Sequence, residues 1–215
     1  MKFRLLACLI LAATSFAQED PPDLKALEKK AAEGDAEAQI ALGLAYDRGG
    51  LGVAQDAKKA AEWFGKAAAQ GVAEAQFNLG IMCASGVGVE KDEAKAVVWL
   101  EQAATQGLVD AQFNLANMYA TGRGTEKSAE KALEWYGKAA MKGMTRAQFN
   151  LGLMHAMGQG VPKDSVKAYA WFAIAAADGD PAAKQNRGFI EKNLTAKQKA
   201  EYQKAAKDLA EKIKP

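Results

Sequence analysis

The side chains able to do covalent or metal chemistry are few. One histidine, His155, and two cysteines, Cys8 and Cys83, are the whole supply of imidazole and thiol in 215 residues. A Cys/His zinc site needs about four such ligands, so none can close. No serine or cysteine has a histidine nearby in sequence, so nucleophile activation by imidazole has no support. The Gly86-Val87-Gly88, Gly122-Arg123-Gly124 and Gly158-Gln159-Gly160 loops resemble phosphate cradles only superficially, since none leads into a Gly-Lys-Ser/Thr or follows a predicted strand. Carboxylates are plentiful but sit on polar faces with no specific pairing. Recognition chemistry is better represented. Asn78, Asn114 and Asn150 recur at one spacing, and a carboxamide offers a donor and an acceptor together. The formal charge of +2 is too small for an electrostatic footprint on nucleic acid.

The elements that place these amides repeat. Trp63, Trp99, Trp135 and Trp171 stand 36 residues apart. Ala67-Ala68, Ala103-Ala104, Ala139-Ala140 and Ala175-Ala176 follow at that period, as do Gly71, Gly107, Gly143 and Gly179. Ala75-Gln-Phe-Asn-Leu79 recurs unchanged at 111–115 and 147–151, and Ala38-Gln-Ile-Ala-Leu42 is its counterpart in the first unit. Such a period signifies stacked supersecondary units.

Each unit reads as two helices. On the first, helix A, Ala75, Leu79, Met82 and Cys83 share one apolar face, and Phe77, Ile81 and Ala84 another. Two apolar sides require two neighbours, which stacking supplies. A glycine-rich turn follows, and Asp56, Asp92, Ser128 and Asp164 are expected N-caps of helix B. Leu42, Leu79, Leu115, Leu151 and the four tryptophans are assigned to the core, in preference to ligand stacking by the indoles. Cys83 is read as a buried filler and His155, at the same place in its unit, as a satisfied interior side chain. The stripe left on helix A should face a groove. It comprises Glu37, Ala41, Leu44 and Arg48 in the first unit, Glu74, Asn78, Ile81 and Ser85 in the second, Asp110, Asn114, Asn117 and Thr121 in the third, and Arg146, Asn150, Leu153 and Met157 in the fourth. The polar members of the last three units are Glu74, Asn78, Ser85, Asp110, Asn114, Asn117, Thr121, Arg146 and Asn150. These are the candidate partner-binding residues, with Asp110 and Arg146 setting charge preference.

The ends differ. Basic residues Lys2 and Arg4, a mostly apolar Leu5–Phe16 and the small residues Ser15 and Ala17 have the order of a secretory signal peptide over 1–17. Cleavage there removes two of the 28 basic residues and none of the 26 acidic ones, leaving a formally neutral chain with Cys83 as its one thiol. Residues 18–34 read as a linker and N-terminal capping helix. The four units are 35–71, 72–107, 108–143 and 144–179. Residues 180–215 read as C-terminal capping helices, opened by Asp180-Pro181 and by the Thr195–Gln198 capping box. Asn193-Leu194-Thr195 is a glycosylation sequon, of consequence only in a eukaryotic secretory host.

The string Ala-Gln-Phe-Asn-Leu-Gly, then Gly-x-Gly-Val-x-x-Asp-x-x-Lys-Ala, then Trp-x-x-x-Ala-Ala-x-x-Gly resembles the Sel-one-like repeat family, a relative of the tetratricopeptide repeat. Ala116, Thr125, Cys83 and His155 depart from it. The resemblance implies an all-α, right-handed α-solenoid of antiparallel helix pairs with helix A on the concave side. It implies an adaptor that holds other proteins; with the asparagine ladder this reads as a noncatalytic module that grips a peptide or partner helix, with no cofactor or metal expected. Exported, periplasmic or secreted placement, no nucleic acid, no membrane insertion after cleavage and a monomeric chain complete the expectation. Some secreted relatives are described as β-lactamase-like or penicillin-binding. Those are cysteine-rich with regular disulfides, which this chain lacks. An envelope protein associated with peptidoglycan is the other alternative.

Overall fold

A computed structural model describes residues 23–213. Eleven helices and no strand are found among the described residues: α1 (Leu24–Ala32), α2 (Ala36–Arg48), α3 (Ala57–Ala69), α4 (Ala73–Ser85), α5 (Glu93–Thr105), α6 (Val109–Thr121), α7 (Ala129–Met141), α8 (Thr145–Met157), α9 (Ser165–Ala177), α10 (Pro181–Glu191) and α11 (Ala196–Ala210). The segment read as a signal peptide lies outside the described residues. No described helix is long and apolar enough to cross a membrane.

The four A helices are α2, α4, α6 and α8, and the B helices are α3, α5, α7 and α9. Each B helix packs against the A helix of its own unit, and α3, α5 and α7 also pack against the A helix of the next, as expected of a solenoid. The B helices begin where a side chain accepts from free backbone amides. Asp92 Oδ1 accepts from Lys95 N at 2.9 Å, Asp164 Oδ1 from Lys167 N at 2.9 Å, and Ser128 Oγ from Lys131 N at 3.2 Å. Those backbone bonds are the main cause that holds the Asp92 and Asp164 carboxyls below the usual carboxylate range. The A helices stop at a left-handed residue, as at Gly86 (φ 75°), whose N–H donates to the Met82 carbonyl. The second loop glycine has another role. A Cβ on Gly88 or Gly124 would fall on the backbone at the start of the preceding B helix, at Ala57 and Glu93. The Gly-x-Gly spacing is thus a turn followed by a close approach between units, not a phosphate cradle.

The core repeats with the units. Leu42, Leu79, Leu115 and Leu151 are all buried, each stabilising by about 1.5–3 kcal/mol relative to exposure. The residue following each tryptophan is the more enclosed partner. Phe64, Leu100, Tyr136 and Phe172 are buried without exception. Trp135 and Trp171 are buried too, and Trp63 and Trp99 are half-buried and pack against the core. The reason lies on helix A. A Cβ on Gly43 would sit 2.6 Å from Phe64 Cε1, on Gly80 3.0 Å from Leu100 Cγ, and on Gly152 2.5 Å from Phe172 Cε1. Glycine therefore lets the B helix seat this second side chain deepest. In the third unit Ala116 replaces glycine and a tyrosine replaces phenylalanine or leucine.

A side-chain ladder joins the units. Gln39, Gln76, Gln112 and Gln148 are buried, and each donates Nε2 to a carbonyl in the last turn of the preceding helix: Ala31, Ala68, Ala104 and Ala140 at 3.0, 3.3, 3.1 and 3.3 Å. In the first two units a glutamine beyond helix B completes it. Gln70 Nε2 donates to Gln39 Oε1 (2.8 Å) and the Gly34 carbonyl (3.0 Å), and Gln106 Nε2 to Gln76 Oε1 (2.8 Å) and the Gly71 carbonyl (2.9 Å).

At the C-terminal end α10 packs on α9 in the register of a fifth helix A. Its Ala183 is buried, and Asn186 Nδ2 donates to the Ala182 carbonyl at 2.9 Å. Helix α11 does not pair with it as a helix B would. It opens with the expected capping box and lies against α9 instead. Tyr169 of α9 meets Tyr202 edge-on at 5.6 Å and donates to Glu191 at 2.7 Å. Burial first, then Glu191, pushes the Tyr169 phenol up to about 12. The apolar stripe Tyr202, Ala205, Ala206, Leu209 and Ile213 is half-buried there.

Candidate partner-binding groove

The polar row expected on the A helices starts at exposed charges. Glu74, Asp110 and Arg146 open α4, α6 and α8 and are exposed. Asn78, Asn114, Asn117 and Asn150 lie further along and are half-buried. Between α4 and α6 runs a cavity of about 500 Å³ lined by Ile81, Ser85, Asn114, Asn117, Thr121 and Arg123, among others. A smaller one of about 190 Å³ between α6 and α8 takes in Tyr136, Asn150 and Gln159. Successive A helices therefore line two cavities, each with polar and apolar walls.

The amides do not form the uniform ladder that the sequence spacing suggests. Asn114 Nδ2 donates back to the Asp110 carbonyl at 2.8 Å, which occupies a donor and leaves Oδ1 as the available acceptor. Asn117 Oδ1 accepts from Tyr136 at 2.6 Å, which leaves Nδ2 as the available donor. The Asn150 amide approaches the same hydroxyl, an interaction that opposes the upward push of burial on the Tyr136 phenol. Tyr136 thus ties two neighbouring rungs together. Opposite Asn78 and Asn114 the equivalent B-helix side chains are Phe64 and Leu100, which have no polar atom to offer. Sequence reasoning missed this role for Tyr136, although its substitution for Phe/Leu at one fixed place in the repeat was the available signal. The hydroxyls of Ser85 and Thr121 bond their own helices, to the Ile81 carbonyl at 2.9 Å and the Asn117 carbonyl at 2.7 Å.

Arg123 is held at the rim by Glu93, with Nη2 to Oε1 at 2.8 Å. Hydrogen bonds from Arg123 and then Lys91 hold the Glu93 carboxyl below its usual range. Cys83 is buried, and burial pushes its thiol up, away from the reactive thiolate. His155 is buried as expected, and its Nδ1 has no hydrogen-bond partner among the described residues. Desolvation pushes its pKa down, aided by Lys167. No group of three or more His, Cys, Asp or Glu side chains able to hold a metal is found among the described residues.

The Sel1 repeat model matches four consecutive segments, 36–72, 73–108, 109–144 and 145–180. The chain belongs to the Sel1 repeat family. Each matched segment begins one residue after the unit boundary drawn from the sequence. Among solved structures, c5321, a protective antigen of uropathogenic Escherichia coli with an SLR fold, is 36% identical with a TM-score of 0.80 over 97% of this chain. The chain spans 45% of that antigen's length. A Sel1 repeat protein from Oxalobacter formigenes is 31% identical with a TM-score of 0.75, covering 95% of this chain and 84% of that one. No curated protein matches the chain. Sel1 repeat proteins are in general protein–protein interaction scaffolds, and the fold is typically noncatalytic.

Proposed function

We propose that this Sel1 repeat protein is an exported, noncatalytic adaptor that holds an extended segment of a partner protein along its A helices, in the bacterial cell envelope. One observation carries the reading. Within the cavity of about 500 Å³, Asn114 retains an acceptor and Asn117 retains a donor, less than one helical turn apart. That pair complements the C=O and N–H of a peptide backbone without regard to sequence. Ile81, Ala84, Leu100 and Met118 beside it give the partner's side chains apolar surface. Glu37, Glu74 and Asp110 at the starts of α2, α4 and α6, against Arg146 at the start of α8, give the row of A helices an acidic end and a basic end. A bound segment with the opposite charge order runs in one direction only.

The test is affinity capture from the source cell's envelope fraction, with the chain lacking residues 1–17 as bait. Changing Asn114 and Asn117 to Ala should abolish the captured band while the helical spectrum persists. Undiminished capture rules out the groove. Saturable hydrolysis of nitrocefin by the same preparation would overturn the noncatalytic assignment.

A further inference from the structure

The glutamine ladder lacks its closing donor in the third and fourth units, and in the fourth it borders a large cavity. The residue that follows helix B is Gln70, Gln106, Lys142 and then Asp178 in the four units. Lys142 still donates, through Nζ to the Gly107 carbonyl at 2.7 Å. Asp178 cannot, because an ionised carboxylate only accepts. Gln148 is fully buried, and its Oε1 has no donor among the described residues. The Gly143 carbonyl, equivalent to those of Gly34 and Gly71, receives no side-chain donor there either. Gln112 Oε1 also lacks a donor, but it does not border this cavity. The space is about 770 Å³ and is walled by α8, α9 and α11. Buried polar groups without partners are uncommon in folded proteins, and an unseen ligand is one reason for them.

The wall has two signs of charge and an apolar remainder. Asp178, Gln148 and Gly143 bring acceptors, Lys142 and Lys207 bring ammonium donors, and Ile174 and Ile213 with four alanines bring aliphatic surface. A simple cation would meet two lysines, and a simple anion would leave the Gln148 acceptor unanswered. We propose that this cavity binds a small zwitterion, an aliphatic amino acid or short peptide. Its ammonium takes the position that the Gln70 and Gln106 amide nitrogens hold in the first two units, against Gln148 Oε1, Gly143 O and Asp178. Its carboxylate lies between Lys142 and Lys207, and its aliphatic part lies against Ile174 and Ile213. The site is separate from the groove, and Asp178 and Lys207 play no part in the groove's binding.

The test is calorimetric titration of the chain lacking residues 1–17 with L-leucine, alanyl-leucine, 3-methylbutylamine and 4-methylpentanoate. The last two carry only the ammonium or only the carboxylate of leucine. Saturable binding of leucine or the dipeptide with a Kd of about 1 mM or below is expected, and each half-ligand should bind at least tenfold more weakly. Asp178→Gln restores the ladder residue of the first two units, so it should raise the melting temperature of the free protein and abolish the titration heat. Lys207→Met, on the exposed side of α11, should weaken leucine and leave 3-methylbutylamine unchanged. The proposal is overturned by no saturable heat from either zwitterion up to about 10 mM, ten times the expected constant. Half-ligands binding as well as leucine, or Asp178→Gln binding as well as wild type, overturn it equally.

Discussion

In the first and fourth units a helix A glycine lies against a helix B ring, and this contact can be isolated by a paired substitution. In Gly152→Ala the new methyl falls 2.5 Å from Phe172 Cε1 and 2.6 Å from Cδ1, against an ordinary carbon contact of about 3.5–4.0 Å. Phe172 is 1% exposed and cannot withdraw. Overpacking of this kind costs about 1–3 kcal/mol. The substitution also gains about 1 kcal/mol of helix propensity. Gly65→Ala, on helix B with nothing within 4 Å of the new methyl, has the propensity gain alone. The difference between the two variants is therefore the contact itself, about 1–3 kcal/mol. In a chain of this size that separates their melting temperatures by about 2–12 °C, followed by helical ellipticity. Gly65→Ala should melt above wild type, and Gly152→Ala below Gly65→Ala. Adding Phe172→Leu to Gly152→Ala should recover part of the loss, as a coupled pair does. Equal stabilisation by both alanines would refute the close-approach account.

The tryptophans should divide by burial. Trp171→Ala costs about 3–5 kcal/mol, whereas half-buried Trp63, which stacks under Lys66 Nζ at 3.7 Å, costs clearly less, and equal shifts in thermal melts would contradict the assignment. Burial depresses the His155 pKa below 6.5, so the folded state binds fewer protons than the unfolded one. Its contribution is present above pH 6.5 and lost as pH falls through the folded value. His155→Tyr, the residue at the equivalent Tyr46 and Tyr119, should flatten the urea midpoint between pH 7 and 5, and an unchanged slope would locate the titration elsewhere. Tyr136→Phe keeps the ring but removes the link between Asn117 and Asn150, at about 1 kcal/mol. Its amide signals in NMR spectra should shift at both asparagines and not at Asn78.

Much of the scaffold was legible because it depends on periodicity. The 36-residue recurrence, the apolar faces of helix A, the Asp and Ser caps and the Thr195–Gln198 capping box each rest on local chemistry that a linear string displays. What it could not display were distances across units. The deeper burial of Phe64, Leu100 and Phe172 depends on a glycine some 20 residues earlier. The bonds of Gln70 and Gln106 span 30 residues or more. For the same reason the row of asparagines looked uniform. Its members differ because Tyr136 reaches one pair of rungs, while Asn114 spends a donor on its own helix. The docking of α11 on α9 in place of α10 has no local signal, since a stripe of Tyr, Ala, Leu and Ile fits either neighbour.

The central claim is that a partner lies along the A helices, and site-specific photocrosslinking in the source cell tests it without knowing the partner. A photoreactive phenylalanine placed at Asn78 or Asn114 should yield a covalent adduct of one defined mass. The same group at Glu62 or Glu134, exposed on the B helices, should yield none. Adducts from Glu62 or Glu134 with nothing from Asn78 and Asn114 would put the partner on the outer face and contradict the account.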